Sequence, residues 1–331
     1  MPQGAFISTG RTLDQAVERV RLAEELGYDA AYITHVAGRD SLIVSAAYLL
    51  ATSRIRVGTG VIPIYTRTPA SMGQGTGTLM DLSRGRFVLG LGVSHRPVVE
   101  GWYGDTIDKP VGEMKEYVRI VRAILDGESP PAGEKWQTGF RLAGIGPFPD
   151  APIYGSALSP GMLRAVGETC DGVTLWLCNP DYIRDVVIPE CATGRERAGK
   201  TMDGFDIVAA VPSALTDDRA DAFATMRGDL LTYFSLPFYR AMIERSGFGA
   251  DLEAFDAAAG AGDGDAMKAA ISDGFLDSLT AIGDEATLRA HVQRYADAGC
   301  TSPCVGPIPK TDFDATLRAA APTERPAPGP S

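Results

Sequence analysis

Two of the three histidines in this 331-residue chain directly follow short apolar runs. The run "YDAAYITH" ends in His35, and "GRFVLGLGVSH" ends in Ser94 and His95. Short apolar runs of this kind suit strands that are buried on both faces. Imidazole is the side chain whose ordinary pKa allows proton transfer near neutral pH. The pattern predicts two rings at the ends of buried strands, where they either move protons or complete the core.

Other chemistries that use such positions are less well supported by the sequence. A metal pair would need a third ligand beside His35 and His95, and none is evident, so we expect no metal. No lysine lies within any apolar run, and Lys310 falls beyond the last one, which argues against a Schiff base.

Two motif matches have the wrong context. Gly90-x-Gly92 starts like a dinucleotide fingerprint, but these glycines lie inside the apolar run rather than after it. The segment "GRERAGKT" (194–201) fits a phosphate-binding loop letter for letter. A helical pattern precedes it and a strand pattern follows, which reverses the order that such a loop requires.

Two further strand ends have features that suit a bound ligand. Thr59 to Ile62 lie between glycines and Pro63, in a pattern that fits either a simple turn or a bulge against a planar ring. Segment 156–162, "SALSPGM", predicts exposed amides at a helix N-terminus, which would bind an anion. An ordinary N-cap by Ser159 is the alternative.

These residues need a scaffold, and the chain repeats strand, loop, helix and glycine throughout. Eight strands are predicted, at 3–9, 28–35, 54–64, 87–93, 151–158, 172–178, 205–215 and 301–308. Helices are predicted at 12–26, 41–52, 69–83, 111–126, 160–169, 180–198 with a break at Pro189, 217–246, 284–298 and 312–320. This alternation predicts a single (β/α)8 TIM barrel over 1–321, with insertions at about 127–150 and 247–275 and a disordered tail at 322–331.

Composition narrows the classes of partner. The net charge of −11 and pI near 4.8 argue against nucleic acid or an anionic membrane. No apolar run approaches a membrane span, and the start "MPQGAFIST" lacks the features of a signal peptide, so we expect a cytoplasmic protein. The five cysteines form no C-x-x-C pair and are expected to be reduced and mostly buried.

Several segments together resemble the luciferase-like monooxygenase superfamily, and particularly its coenzyme F420-dependent branch. The most specific is "GRFVLGLGVSHRPVVEGWYGDTIDKPVGEMKEYVRIVRAIL" (85–125), followed by "ALSPGMLRAVGETCDGV" (157–173). The segments "LPFYRAMIERSGF" and "GDEATLRAHVQRYADAGC" also match. The resemblance covers most of the chain and is weak in the insertions and the tail.

The resemblance implies a deazaflavin cofactor, F420, that exchanges a hydride through its C5 with a small organic substrate. It places His35, where an acidic residue is more common, and His95 near the reacting carbon. It also implies a bulge behind the ring, often with a non-prolyl cis peptide, and a phosphate cradle after the fifth strand. The implied cofactor-binding residues are Thr59, Gly60, Val61, Ile62, Gly92, Ser94, Ser156, Ala157, Leu158, Ser159, Gly161 and Met162.

Aromatic residues near the strand ends are candidates for the substrate pocket, although each could equally be core. They are Tyr65, Trp102, Trp176, Phe238 and Tyr239. Two other functions remain open: an FMN-dependent monooxygenase that uses oxygen on the same barrel, and a barrel that binds a flavin without turnover. Because members of the family commonly dimerise through the second and third helices, the resemblance also implies a homodimer.

Overall fold

A computed structural model describes residues 2–323. Nine strands form one parallel sheet: β1 Gly4–Phe6, β2 Ala30–Thr34, β3 Arg56–Pro63, β4 Phe87–Gly92, β5 Ile153–Ser156, β6 Gly172–Leu175, β7 Asp206–Leu215, β8 Ala281–Gly283 and β9 Ser302–Pro307. Strands β1 to β7 pair in chain order, and β9 closes the ring by pairing with both β7 and β1. The predicted eight-stranded parallel barrel is confirmed.

One strand lies outside this ring and was missed by the sequence prediction. Strand β8 pairs only with the last three residues of β7, Ser213 to Leu215. It is three residues long, too short for a periodic apolar signal to identify.

Helices cover the outside of the barrel. Their bounds are α1 Leu13–Leu26, α2 Ser41–Ala51, α3 Pro69–Ser83, α4 Arg96–Val98, α5 Pro110–Leu125, α6 Pro160–Thr169, α7 Pro180–Tyr182, α8 Ile188–Arg197, α9 Arg219–Phe234, α10 Pro237–Arg245, α11 Gly249–Ala261, α12 Gly264–Ala269, α13 Asp273–Leu279, α14 Glu285–Asp297 and α15 Phe313–Ala319. Short π-helical turns continue α4 (Val99–Tyr103) and join α7 to α8 (Ile183–Val187). The predicted break at Pro189 lies beside this irregular turn, because α8 begins at Ile188 and Pro189 occupies its first turn.

Local signals set the ends of several helices. The hydroxyl of Thr12 accepts the amide of Gln15 at the start of α1, and Gly27 ends that helix in the left-handed region with φ 89°. These are the N-cap and C-cap that the sequence predicts. Helices α3 and α6 have the predicted bounds, 69–83 and 160–169.

Side chains from the strands pack together inside the barrel. A small cluster there contains Phe6, Tyr32, Val88, Tyr154, Val208 and Cys304, together with Ala30. The larger core lies between the outer face of the sheet and the helices. All five cysteines are free and buried, as predicted.

The two predicted insertions differ from each other. Residues between α5 and β5 form no helix or strand, as expected for 127–150. The carboxylate of Glu116 on α5 fixes that loop by accepting the amides of Glu134, Lys135 and Trp136. Region 247–275 is instead largely helical, forming α11, α12 and the start of α13. The sequence predicted an insertion here without assigning its secondary structure, and its high Ala content favours helix.

Of the predicted tail, residues 324–331 lie outside the described part of the chain. Within residues 2–323, no helix has the combination of length and apolar character that crossing a membrane requires.

Candidate active site

His35 follows β2 at the end of the barrel where the strands have their carboxyl ends, here called the mouth. Its backbone amide donates to the carbonyl oxygen of Val61 on β3, at 3.1 Å. Its ring is half-buried, and Nδ1 lies 3.1 Å from the hydroxyl oxygen of Ser41. The amide of Ser41 also donates to Nδ1, at 3.4 Å. One edge of the ring is therefore fixed to the first residue of α2.

An ion pair lies beside this histidine. Asp40 caps α2 by accepting the amides of Leu42 and Ile43, and it also binds the guanidinium of Arg67. Burial alone would raise the pKa of the Asp40 carboxyl, but the hydrogen bonds from Arg67 and Ile43 hold it below its usual value. Burial lowers the pKa of His35, with Asp40 opposing that shift and Arg67 adding to it. The ring is consequently neutral at physiological pH.

Strand β3 contains the bulge that the sequence suggested. Thr34 on β2 pairs with Val61 after Ile33 pairs with Thr59, so Gly60 is skipped. On the other side the pairing with β4 also shifts, between Gly58 and Ile62. An extra residue in one strand is the definition of a β-bulge. Among the described residues the one cis peptide is Gly146–Pro147, so the bulge forms without the non-prolyl cis bond that the resemblance implied.

Gly90 is a glycine because of this bulge. A Cβ at Gly90 would lie 1.9 Å from the carbonyl oxygen of Thr59. The Thr59 hydroxyl donates to the Gly90 carbonyl at 3.0 Å and accepts the Gly90 amide at 2.8 Å. A Cβ at Gly92 would contact the side chains of Val61 (2.8 Å) and Ser156 (3.1 Å). The glycines of β4 thus accommodate neighbouring strands of the protein itself.

The bulge is also tied to the far side of the barrel. The hydroxyls of Ser156 on β5 and Thr174 on β6 lie 2.9 Å and 2.7 Å from the carbonyl oxygen of Gly60. Two other strands, β5 and β6, therefore hold the displaced carbonyl in place. Thr174 was not among the predicted residues, because a single threonine in a strand carries no distinguishing signal.

The loop after β5 ends in an unusual helix start. Ser159 occupies the N-cap position of α6, but its side chain makes no capping hydrogen bond. The other nine Ser, Thr, Asp and Asn N-caps of the described helices each accept a backbone amide, namely Thr12, Asp40, Thr68, Asn179, Asp218, Asp263, Ser272, Asp284 and Asp312. Nothing lies within 4 Å of a Cβ built on Gly161. First-turn amides without a side-chain cap, beside open space, suit an anionic group.

The loop at 156–162 is held in place by a tyrosine hydroxyl and by burial. The hydroxyl of Tyr182 donates to the carbonyl oxygen of Leu158 at 2.7 Å, while Ala157 and Met162 are buried. The predicted residues 156–162 therefore form one continuous segment along the mouth, next to the bulge through Ser156.

His95 has different surroundings from His35. It precedes α4, is half-buried, and makes no side-chain capping bond to that helix. Burial lowers the pKa of its ring. Ser94 before it has a φ of 58°, in the left-handed region that costs a non-glycine residue about 1–2 kcal/mol. Unfavourable backbone of this kind concentrates at functional sites.

A row of aromatic rings continues from His95. Its ring centroid is 5.7 Å from that of Tyr239, which lies 4.7 Å from Tyr233, which lies 6.2 Å from Trp176. Trp176 Nε1 is buried without a hydrogen-bond partner. Leu177, next in the chain, also has a positive φ of 61°. Tyr233 was missed by the sequence prediction, because it lies inside a long helix, away from any strand end.

The other three predicted pocket residues are not part of this row of rings. Tyr65 is buried, with its hydroxyl donating to Glu113 at 2.5 Å and its ring facing Trp136 of the 127–150 insertion at 6.2 Å. Trp102 and Phe238 are 56% and 59% exposed. All three remain predictions for the substrate pocket.

Within residues 2–323 no group of three or more His, Cys, Asp or Glu side chains is close enough together to bind a metal ion.

Comparison with known proteins identifies the class. The model of the luciferase-like monooxygenase family matches residues 1–302, and the chain belongs to this family. It is thus an oxidoreductase of the luciferase-like type, built on a TIM barrel.

Relatives in sequence and structure span nearly the whole chain. A Mycobacterium tuberculosis protein named "Putative coenzyme F420-dependent oxidoreductase" is 31% identical over 86% of this chain and 88% of its own. A 5,10-methylenetetrahydromethanopterin reductase of Archaeoglobus fulgidus is 30% identical over 87% of each. The solved structure of the coenzyme F420-dependent tetrahydromethanopterin reductase of Methanopyrus kandleri superposes with a TM-score of 0.78 at 21% identity, covering 97% of both chains.

Proposed function

We propose that this protein is an F420-dependent oxidoreductase that transfers a hydride between the deazaflavin C5 and a small organic substrate. The observation that carries the proposal is the similarity, at 31% identity over 86% of this chain, to a relative whose name states F420 dependence. The expected cytoplasmic location is part of the same proposal.

The residues of the mouth suit such a cofactor. The uncapped amides at the start of α6 and the open space beside Gly161 match a phosphate group. The bulge of β3 forms a wall fixed by hydrogen bonds to Gly90, Ser156 and Thr174. When bound, F420 supplies the hydride chemistry, and the protein supplies orientation and exclusion of water.

Within this arrangement the two histidines have different roles toward the substrate. His35 is neutral and fixed at one edge, so it can present its free edge to a substrate atom that gains or loses charge. His95, with Tyr239, Tyr233 and Trp176, lines an apolar and aromatic side that would exclude water from the reacting carbon.

The test is a titration of the purified protein with F420 and with FMN side by side, followed by intrinsic fluorescence. Binding of F420 at least about tenfold tighter than FMN, a difference of about 1.4 kcal/mol, is the expected result. Preference for FMN would replace the proposal with an oxygen-using flavin monooxygenase. Binding of neither would overturn the proposed function.

We also propose that the protein is a homodimer that buries the outer face of α2. Helix α2 has no charged residue, and Ile43 and Leu50, seven positions apart on one face, are 69% and 72% exposed. Light scattering should give about twice the chain mass of 35.0 kDa, and Ile43→Arg should reduce it to the monomer. A monomeric wild type would contradict this proposal.

A further inference from the structure

Ser41 makes both of the hydrogen bonds that fix the ring of His35. We propose that Ser41 is a positioning residue that holds His35 in the neutral form with the proton on Nε2. The catalytic meaning of this inference rests on the proposed function, because His35 acts on a substrate only if the mouth is an active site.

The geometry determines which ring nitrogen carries the proton. The backbone amide of Ser41 points its hydrogen at Nδ1, with a nitrogen–nitrogen distance of 3.4 Å. A backbone N–H can only donate, so Nδ1 must be the acceptor. The Ser41 hydroxyl, 3.1 Å from the same nitrogen, then donates as well. With Nδ1 accepting from two donors, the proton of the neutral imidazole lies on Nε2.

The start of α2 leaves little room for a different arrangement. The amides of Leu42 and Ile43 are bound by the Asp40 carboxylate, and only the Ser41 amide is directed to the ring. Ser41 is fully buried, so water does not compete for its hydroxyl. Protonation of Nδ1 would set two N–H donors against each other. This opposes the imidazolium form, in agreement with the lowered pKa of His35, although the nearby Asp40 favours the cation and Arg67 disfavours it.

The consequence concerns the kind of atom that His35 can meet. An Nε2–H group donates a hydrogen bond, so it matches an acceptor such as a carbonyl oxygen or imine nitrogen. Charge developing on that atom during hydride addition would strengthen the bond. An alcohol that must lose its proton would instead need an unprotonated Nε2.

The chain is well suited to a direct measurement because it contains only three histidines. Long-range nitrogen–proton NMR of the ¹⁵N-labelled protein without cofactor distinguishes the two neutral tautomers, and His35→Gln assigns the signals. At neutral pH, Nδ1 of His35 should show the shift of an unprotonated nitrogen. A protonated Nδ1, or an average of both forms, would overturn the proposal.

Variants at Ser41 then test its part in this preference. Ser41→Ala should lower the ratio of Nε2–H to Nδ1–H forms about fivefold, the effect of one ordinary hydrogen bond, and leave His95 and His291 unchanged. Ser41→Thr keeps a hydroxyl and should restore the ratio. The matched control is Ser45→Ala, since Ser45 is buried on the same helix but its hydroxyl has no partner.

An unchanged ratio in Ser41→Ala, or an equal loss in Ser45→Ala, would contradict the role of Ser41. If Ser41→Ala does not fold, the comparison of wild type with Ser41→Thr still determines the tautomer. These spectra are recorded without cofactor, so they are independent of F420 binding. Failure to bind F420 would overturn the proposed function while the tautomer is measured separately.

Discussion

Two groups of residues at the barrel mouth are built in different ways. In the first, here called the hydrogen-bonded side, hydrogen bonds determine the geometry: Ser41 binds His35, and Ser156 and Thr174 bind the Gly60 carbonyl. In the second, here called the aromatic side, ring packing dominates from His95 to Trp176, the backbone is unfavourable at Ser94 and Leu177, and Trp176 Nε1 has no partner. The first arrangement fixes directions, and the second mainly fills space.

This difference suggests that the two sides serve different functions. Hydrogen bonds hold atoms within narrow limits of distance and angle, as a bound cofactor and a hydrogen-bond donor to the substrate require. Ring contacts tolerate small shifts, so they suit a surface that must accept substrates of varied shape. We therefore expect the hydrogen-bonded side to serve cofactor and proton chemistry, and the aromatic side to serve substrate binding.

The largest expected effect is on turnover by variants of the two histidines. His35→Ala should reduce the rate of F420H2 oxidation, with a substrate found by screening, by about 10²–10³-fold, as expected for loss of a hydrogen-bond donor to an atom that gains negative charge. His95→Ala should cost no more than about tenfold, because it removes a ring contact. F420 titration of both variants provides the control for binding. A larger loss in His95→Ala would reverse the assignment of the two sides.

The next effect is on folding and concerns the bulge. Gly90→Ala should destabilise the protein by about 3 kcal/mol or more, because its Cβ would overlap the Thr59 carbonyl on a backbone that cannot move freely. Urea unfolding measures the change. Gly161→Ala is the control, since its Cβ would enter open space, and it should leave stability equal or up to about 1 kcal/mol higher. Equal losses in both variants would show that the bulge is not rigid.

On the aromatic side, we expect a smaller change in stability, and in the opposite direction. Ser94→Gly should stabilise the protein by about 1 kcal/mol, because glycine adopts the observed φ of 58° without strain. The same substitution at Ser235, where φ is −94°, should give no gain. A loss of stability in Ser94→Gly would mean that the hydroxyl contributes more than the backbone strain costs.

The smallest expected effect is a dependence of stability on pH. Burial lowers the pKa values of His35, His95 and His291, so the folded state binds fewer protons than the unfolded state in weak acid. The stability that these neutral histidines contribute is fully present above about pH 6.5, the ordinary pKa of histidine in the unfolded chain. It is lost as the pH falls through their lower pKa values in the folded state. Melting temperatures should fall between about pH 7.5 and 5.5, and His95→Gln should flatten that slope. An unchanged dependence of melting temperature on pH in this variant would mean that the ring of His95 is exposed to water in the folded state.

Most of the scaffold could be predicted from the periodicity of apolar residues and from the residues that begin and end helices. Helix α1 between Thr12 and Gly27 and helix α3 after Thr68 have caps that the sequence shows directly. What could not be predicted were features set by tertiary contact. Strand β8 exists because the end of β7 offers it a partner, and the predicted insertion 247–275 folds into helices that pack on α9.

At the mouth, residues that directly follow strands were easier to identify than the partners that fix them. His35, His95 and the bulge at Thr59 to Ile62 follow from strand ends and glycines. Ser41, Thr174 and Tyr233 lie in regular elements where their residue types are ordinary, so only the folded structure shows their contacts. The contacts of Tyr65 with Glu113 and Trp136 are likewise visible only in the folded structure.

The most direct test of the account is hydrogen exchange of the protein with and without F420. The account predicts slower exchange of the amides at the start of α6, Gly161 and Met162, and around the bulge at Gly60 to Ile62. Segment 176–178 and helices α9 and α10, which carry the aromatic side, should change little until a substrate is added. Protection confined to the aromatic side, with the amides of α6 unaffected, would contradict the division between the two sides of the mouth.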